Sequence, residues 1–469
     1  MVRREYVQRS VFEVLLPDGE KLWDPALRRI DEVLDDEALL DLVADALGRR
    51  RPMSRLRGRL GTPAEVVLRM LVLKHLYDWS FDECEREVRG SLVYRAFCRI
   101  DCERVPDAKT LIRLAQLLGP DTLKGIVERL VATARQRKVI RGFRLRVDTT
   151  VVETNIHDPT DSTLLADGVR VLTRTMKKLR TGLGDGAFHL RDRMRSVGRR
   201  VFEIAQRSRT AAQAQTKARM TQLYREVMGF TRAVVRQADA VGRHSAEGTR
   251  RRPAGAAQAV VDKLGQRLRH TVGLVRRVLA QTRARVLKGD PHYPDKVLSL
   301  FEPHTEAIRK GKAAKPTEFG KLVKLQEAEA QFITDYEVCG TRVADGALWV
   351  PTLARHEQLF GRPPRLAVAD AGFASASNER AATDLGVRRV ALPKRGRLSP
   401  ARRTHQRQRW FRRALRWRTG CEGRISVLKR RHGLRRCRYR GLEGMDRWVG
   451  LGVIANTLWV LGRAGPRRK

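Results

Sequence analysis

Up to about residue 140 the apolar residues recur at helical spacing, and from Phe143 the period drops to two. Phe143-Arg144-Leu145-Arg146-Val147-Asp148 alternates apolar and polar residues, and Thr149 to Asn155 continues with β-branched ones. Two adjacent strands joined by a tight turn are expected there, at 143–148 and 150–156. Strand signals return only after residue 330. Phe332 to Val338 alternates, Leu366-Ala367-Val368-Ala369-Asp370 is a short buried run ending in an acid, and Val387 to Pro393 is another strand. A helix from Ser377 to Leu385, stopped by Gly386, separates the last two. Alternation of strand and helix around 365–393 implies an α/β layer with parallel strands.

The flanking segments read as helical. Thr62-Pro63-Ala64-Glu65 has the pattern of a capping box and opens the run Val66, Val67, Met70, Leu71, Leu73, Leu76. Ser80-Phe81-Asp82-Glu83 repeats that signal before Cys84 and Val88. The pair could form a DNA-reading helix-turn-helix, but a connection without glycine fits an ordinary helical hairpin better. Further helices follow Pro106-Asp107 and Pro120-Asp121, giving an N-terminal helical domain over 1–140 that is a candidate for DNA binding. Residues 161–290 hold 29 Lys+Arg against 10 Asp+Glu with almost no strand signal. They read as a basic helical insertion, broken near Gly248 to Gly255, that either spaces other parts or touches DNA. From Trp410 the chain is helical to a stop at Gly433, and Trp448 and Trp459 belong to a C-terminal core helix.

Charge selects the partner. The chain carries 96 Lys+Arg against 52 Asp+Glu, a net +44 over 469 residues. A hydrophobic content of 42% supplies a core and excludes wholesale disorder. Self-repulsion at +44 calls for a polyanion. No apolar run reaches 18 residues and the opening MVRREYVQRS has no apolar stretch, so neither a membrane span nor a secretory signal is expected. Nucleic acid in the cytoplasm is the expected companion. The six cysteines (Cys84, Cys98, Cys102, Cys339, Cys421, Cys437) form no CxxC, and they read as reduced thiols. The scattered histidines argue against a transition-metal site, which leaves a hard-cation site built from carboxylates.

Residues 394–440 contain 19 Lys+Arg and a single acid, Glu422. Glu422 could be an ordinary salt-bridge partner of Arg418, four residues earlier, or of Lys429, seven later. It could instead hold a metal beside a phosphate drawn in by the surrounding cations. Asp148 and Asp370 each end a strand run, a position where a lone Asp is usually a turn former or helix cap. On neighbouring strands they would stand side by side at one sheet edge. Mg²⁺ takes hard oxygen ligands, and two such ions about 4 Å apart can hold the attacking and leaving oxygens of an in-line displacement at phosphorus. Asp, Asp and a helical Glu match that need.

These blocks resemble the DDE transposases of bacterial insertion sequences. LRVDTTVVETNIHDPTDSTLL looks like their first catalytic strand, and ITDYEV followed by AVADAGFASASNERAATDLGVRRVALPKRG looks like their second-Asp block. Arg418, Glu422 and Lys429 stand at the spacings of the family's Y-x2-R-x3-E-x6-K signature, with Leu415 in the place of the Tyr and Trp417 nearby. DWSFDECEREVRGSLVYRAFCRIDCERVPDAKTLIRL is similar to the family's N-terminal helical domain, and SLFEPHTEAIRKGKAAKPTEFGKLV resembles its ISNCY-like group.

The resemblance implies an α/β RNase H-like catalytic domain over 141–160 and 291–469. It would hold a mixed five-stranded sheet with flanking helices, at roughly 143–148, 150–156, 331–338, 365–370 and 387–393, with the insertion between the second and third strands. It also implies Asp148, Asp370 and Glu422 as catalytic metal ligands for two Mg²⁺ ions, with Mn²⁺ able to substitute. Arg418, Lys429, Lys394 and Arg424 would contact DNA. The expected partners are double-stranded DNA, both transposon terminal inverted repeats and target, and further copies of the chain on paired ends. The expected reaction is cleavage at transposon ends followed by strand transfer. A nuclease or resolvase of the same fold without strand transfer, and a basic DNA-binding protein without catalysis, are the alternatives.

Overall fold

The computed structural model describes Arg4 and residues 19–49, 60–184, 187–208, 214–250, 255–309, 316–341 and 343–464. Two compact units are present, one made of residues 1–155 and 308–469 and the other of residues 156–307.

The first unit is built around a six-stranded mixed sheet. Its strands are β1 (Arg144–Glu153), β2 (Glu306–Ile308), β3 (Glu318–Glu327), β4 (Ile333–Val338), β5 (Leu366–Val368) and β6 (Arg389–Ala391). The order is β2-β3-β1-β5-β6, with β4 also paired to β3. β1 runs antiparallel to β3 and parallel to β5, which is parallel to β6.

Two expectations are corrected here. The segments 143–148 and 150–156 are not two strands: β1 runs unbroken through Asp148, because Thr149 to Val152 continue its pairing with β3. The neighbour of β1 is instead β3, which carried no strand signal. Its sequence EFGKLVKLQE places Lys321, Lys324, Gln326 and Glu327 in buried positions, where charge ordinarily argues for surface. Each charge is paired: Lys324 with Asp335 of β4 at 3.3 Å, Glu327 with Arg146, and Lys321 Nζ with the carbonyl of Gly340 at 2.5 Å. The sheet therefore has six strands rather than five, and the inserted unit leaves after its first strand.

Before the sheet come α1 (Pro25–Leu34), α2 (Glu37–Gly48), α3 (Ala64–Leu76), α4 (Phe81–Gly90), α5 (Leu92–Phe97), α6 (Ala108–Ala115) and α7 (Pro120–Gln136). Ser80 and Glu83 make the expected capping box on α4. Thr62 does not cap α3: the N-cap is Pro63, and Glu65 turns instead to Arg69 at 3.0 Å. Asp78, at φ 54°, supplies the left-handed residue of the glycine-free turn between α3 and α4. Every residue of α3 is buried, and the fully buried Arg69 is satisfied by Asp31, Asp35, Glu65 and the carbonyl of Phe97. These helices share one core with β1, β3, β4 and the C-terminal helix, so they are packed as part of the sheet's own unit.

The second unit holds α8 (Asp161–Leu183), α9 (Met194–Arg207), α10 (Ala214–Arg250) and α11 (Ala256–Thr282), around its own core from Leu164 to Val297. The expected break at 248–255 separates α10 from α11; residues 251–254 lie outside the described residues.

Following β4 are α12 (Trp349–Phe360), α13 (Ala376–Asp384), α14 (Pro400–Arg407), α15 (Arg409–Arg431) and α16 (Gly441–Arg463). α16 is buried round most of its circumference, as a helix apolar on all sides must be. Among the described residues no helix is long and apolar enough to cross a membrane.

α15 is fixed to the sheet by a buried ion pair. Arg146 and Glu327 face each other across β1 and β3, are 2% and 0% exposed, and meet at 2.5 and 3.1 Å. The same guanidinium donates to the carbonyl of Trp417 at 2.6 Å and lies 4.9 Å from the centre of its ring. A Cβ on Gly420 would stand 2.6 Å from Arg146 Nη1, so only glycine lets the helix come this close. The thiol of Cys421 donates to Glu327 at 2.9 Å, and burial first, with Glu327 second, pushes that thiol well above its usual range.

Removing one partner of such a pair strands the other charge. Arg146→Met is expected to lower unfolding stability in urea by about 3–5 kcal/mol, whereas Arg146→Met/Glu327→Leu together should recover most of it. A double variant no more stable than the single one contradicts this account.

Burial also depresses two histidines, His356 and His432, from 6.5 to about 4. Each still donates one ring N–H, His356 to the carbonyl of Gly142 and His432 to that of His75, both at 3.0 Å. The unfolded chain takes up these protons near 6.5 and the folded chain only near 4. Stability is therefore expected to fall as pH drops through that window. Urea melts between pH 7 and 4 check it, and His432→Gln should flatten the dependence.

Candidate active site

Asp148 lies in the middle of β1, 9% exposed, on the sheet face that α15 covers. Side chains alternate along a strand, so Asp148 shares this face with Arg146. β1 and β5 pair in parallel with Arg146 opposite Val368. Continuing that register by two residues sets Asp370 level with Asp148, one strand away. Strand spacing is about 4.8 Å. Asp370 closes the extended segment after β5 and caps the single turn Ala371–Phe373 by accepting the N–H of Gly372 at 2.9 Å. Asp148 accepts the N–H of Thr149 at 2.8 Å.

Glu422 stands on α15 with its side chain more than half exposed. One guanidinium joins it to the first acid: Arg418 Nη2 lies 2.9 Å from Glu422 Oε1, and Arg418 Nη1 3.5 Å from Asp148 Oδ2. The pairing of Glu422 with Arg418 along the helix is thus real, and it also draws Glu422 to the sheet edge. Arg418 thus links Asp148 with Glu422, while Asp370 lies two residues past the end of β5, the strand beside β1.

The cations are placed unequally. Lys429, two turns beyond Glu422, lies 4.0 Å from Glu318 at the start of β3. Lys394 is exposed on the loop after β6, whose backbone is held by Gln406. Arg424 corrects an expectation: it is 8% exposed, bonded to Gln331, and its guanidinium pKa is lowered by burial. It lies on the buried stripe of α15 with Phe411, Ala414, Cys421 and Leu428, so it does not face DNA. Trp417 does not supply the missing Tyr contact either, since its ring and carbonyl are engaged by Arg146.

Sequence reading missed Asp345. Its Oδ1 accepts from the hydroxyl of Thr149 at 2.9 Å, tying the turn Asp345–Leu348 to the residue after Asp148. A Cβ on Gly372 would lie 3.0 Å from Asp345 Oδ2 and 3.2 Å from Asp370 Oδ1, so the two carboxylates flank this glycine. Asn378 of α13 donates to the carbonyls of Gly346 and Phe373 and clamps both turns. The one available signal was the Asp-Gly pair at 345–346, a common turn dipeptide.

Three carboxylates are the hard-oxygen donors that divalent cations select. Asp148 and Asp370 are of that donor type and lie on or just beyond the adjacent strands β1 and β5. Among the described residues no three His, Cys, Asp or Glu groups are gathered into a metal-holding cluster, and the positive charge beside Asp148 and Glu422 is that of Arg418.

Two family models match the chain. Residues 12–117 match a transposase domain (DUF772), and residues 386–461 match a transposase DDE domain. A curated relative, the uncharacterized protein ORF8 in the nfe locus of Rhizobium meliloti, is 29% identical over 127 residues. The match spans 26% of this chain and 61% of the relative. No solved structure matches. With a transposase domain matched over 12–117 and a transposase DDE domain over 386–461, the chain is similar at both ends to the DDE transposases of insertion sequences.

Proposed function

We propose that the chain cuts DNA at transposon ends and joins the freed 3′ ends to target DNA, using Asp148, Asp370 and Glu422 on an RNase H-like sheet. The observation that supports this reading is the parallel pairing of β1 with β5, Arg146 opposite Val368, which continued by two residues would set Asp148 level with Asp370. The link from Asp148 through Arg418 to Glu422 adds the third acid.

Divalent cations such as Mg²⁺, when bound, supply Lewis-acid activation of water and of the phosphodiester. Asp148 and Asp370 would hold them, fixed by the backbone N–H bonds of Thr149 and Gly372 and by the Asp345 tie. Glu422 would complete the set from α15. Arg418 lies between Asp148 and Glu422 and offsets part of their charge. Its planar fork would also suit a phosphate of the bound DNA. Lys429 and Lys394 add sequence-independent phosphate contacts. The helices of residues 25–136 and the basic unit 156–307 are left as the parts that recognise the ends, and further copies of the chain would pair them.

Asp148→Asn, Asp370→Asn and Glu422→Gln keep shape and remove a ligand charge. Each is expected to reduce Mg²⁺-dependent nicking of a transposon-end duplex by about 100-fold or more, the scale of a displaced reacting group. Binding in EDTA should survive all three. Full nicking by any one variant removes that residue from the site. Transfer of pre-cut 3′-hydroxyl ends distinguishes a transposase from a nuclease of the same fold.

A further inference from the structure

An open cleft lies at the opposite ends of the same parallel strands, where β1, β5 and β6 begin. Its first lobe, about 560 Å³, is lined by Arg141, Arg144, Arg365, Arg388 and Arg389 with Phe143 and Trp410. A second lobe of about 580 Å³ shares Arg144, Arg389 and Trp410 and adds Arg413 and Arg416 from α15. All seven arginines are exposed, and none forms an ion pair among the described residues. The carboxylate in the lining, Glu329, is occupied by four backbone N–H groups, those of residues 141–144, at 2.7–3.3 Å.

Aromatic rings hold part of this charge in place. Arg365 and Arg362 stand 4.2 and 4.4 Å from the centre of Phe143, and Arg389 5.5 Å from that of Trp410. Guanidinium groups already occupy these rings, so the cleft offers fixed cations rather than free faces for stacked bases. That favours phosphates of a duplex over an unpaired strand. Seven unpaired cations in one cleft repel one another unless a polyanion fills it.

We propose that this cleft seats the phosphate backbone of duplex DNA a few base pairs from the cleavage point. This deepens the transposase reading and rests on it for the choice of DNA. Arg144 and Asp148 are four residues apart on β1, or about 13 Å. Arg416 and Glu422 are six apart on α15, or about 9 Å. At 3.4 Å per base pair, those spans correspond to roughly three or four base pairs. α15 would be the ruler between the anchored phosphate and the cut one.

The test is the triple variant Arg144→Gln/Arg389→Gln/Arg413→Gln in the full chain. Binding of a short random-sequence duplex is followed by fluorescence anisotropy in EDTA over a salt series. Each phosphate contact contributes about 0.9 to the slope of log K against log salt, so the variant's slope should be shallower by about 2.7. Its thermal unfolding should match that of the parent, because the three side chains are exposed and without ion pairs. An unchanged slope overturns the proposal. Tighter, equally arginine-dependent binding of the single strand overturns its assignment to duplex. If the parent chain never nicks yet shows the arginine-dependent slope, the cleft stands and the transposase reading falls.

Discussion

The salt bridge between Arg146 and Glu327 is the interaction on which the rest of the structure depends. It joins the two central strands, and through the carbonyl of Trp417 it seats the helix that carries Arg418 and Glu422. A buried pair of this kind contributes little net stability relative to apolar residues of the same size. Its value here is positional. An apolar contact would let α15 slide or turn, whereas a fork of donors aimed at one carboxylate and one carbonyl admits a single placement. Gly420 is the counterpart of that choice, because the helix backbone must come within reach of the guanidinium.

The acids of the candidate site drew attention in the sequence for different reasons. Asp148 and Asp370 stood out because each follows an apolar run, and parallel pairing then levels them. Glu422 stood out only against its surroundings, as one acid among many bases. β3 was illegible because the period-two signal assumes that charged residues face water, while Lys321, Lys324 and Glu327 are buried with partners that no local pattern announces. Reading β1 as two strands came from the same habit of placing an Asp in a turn. Arg424 could have been found by arithmetic: it is three residues after Cys421 and four before Leu428, and so lies on the buried stripe.

The two ends of the parallel strands carry opposite electrostatics. One gathers acids, each held by a backbone N–H or a guanidinium. The other gathers arginines whose one carboxylate neighbour is already committed to the backbone. A polyanion lying along α15 would meet arginines at one end and carboxylates at the other.

β1 and β3 are direct neighbours in the sheet, yet the whole helical unit 156–307 lies between them in the chain. Their pairing is strongly non-local, and closing so long a loop is slow if that loop is uncoiled. A helical unit with its own core would shorten the effective loop by folding ahead of the sheet. Synthesis order favours this, since residues 156–307 emerge before β3 does. The inserted unit would then act during biogenesis as a hairpin clasp, and damage to its core would appear as slow assembly of a sheet it does not belong to.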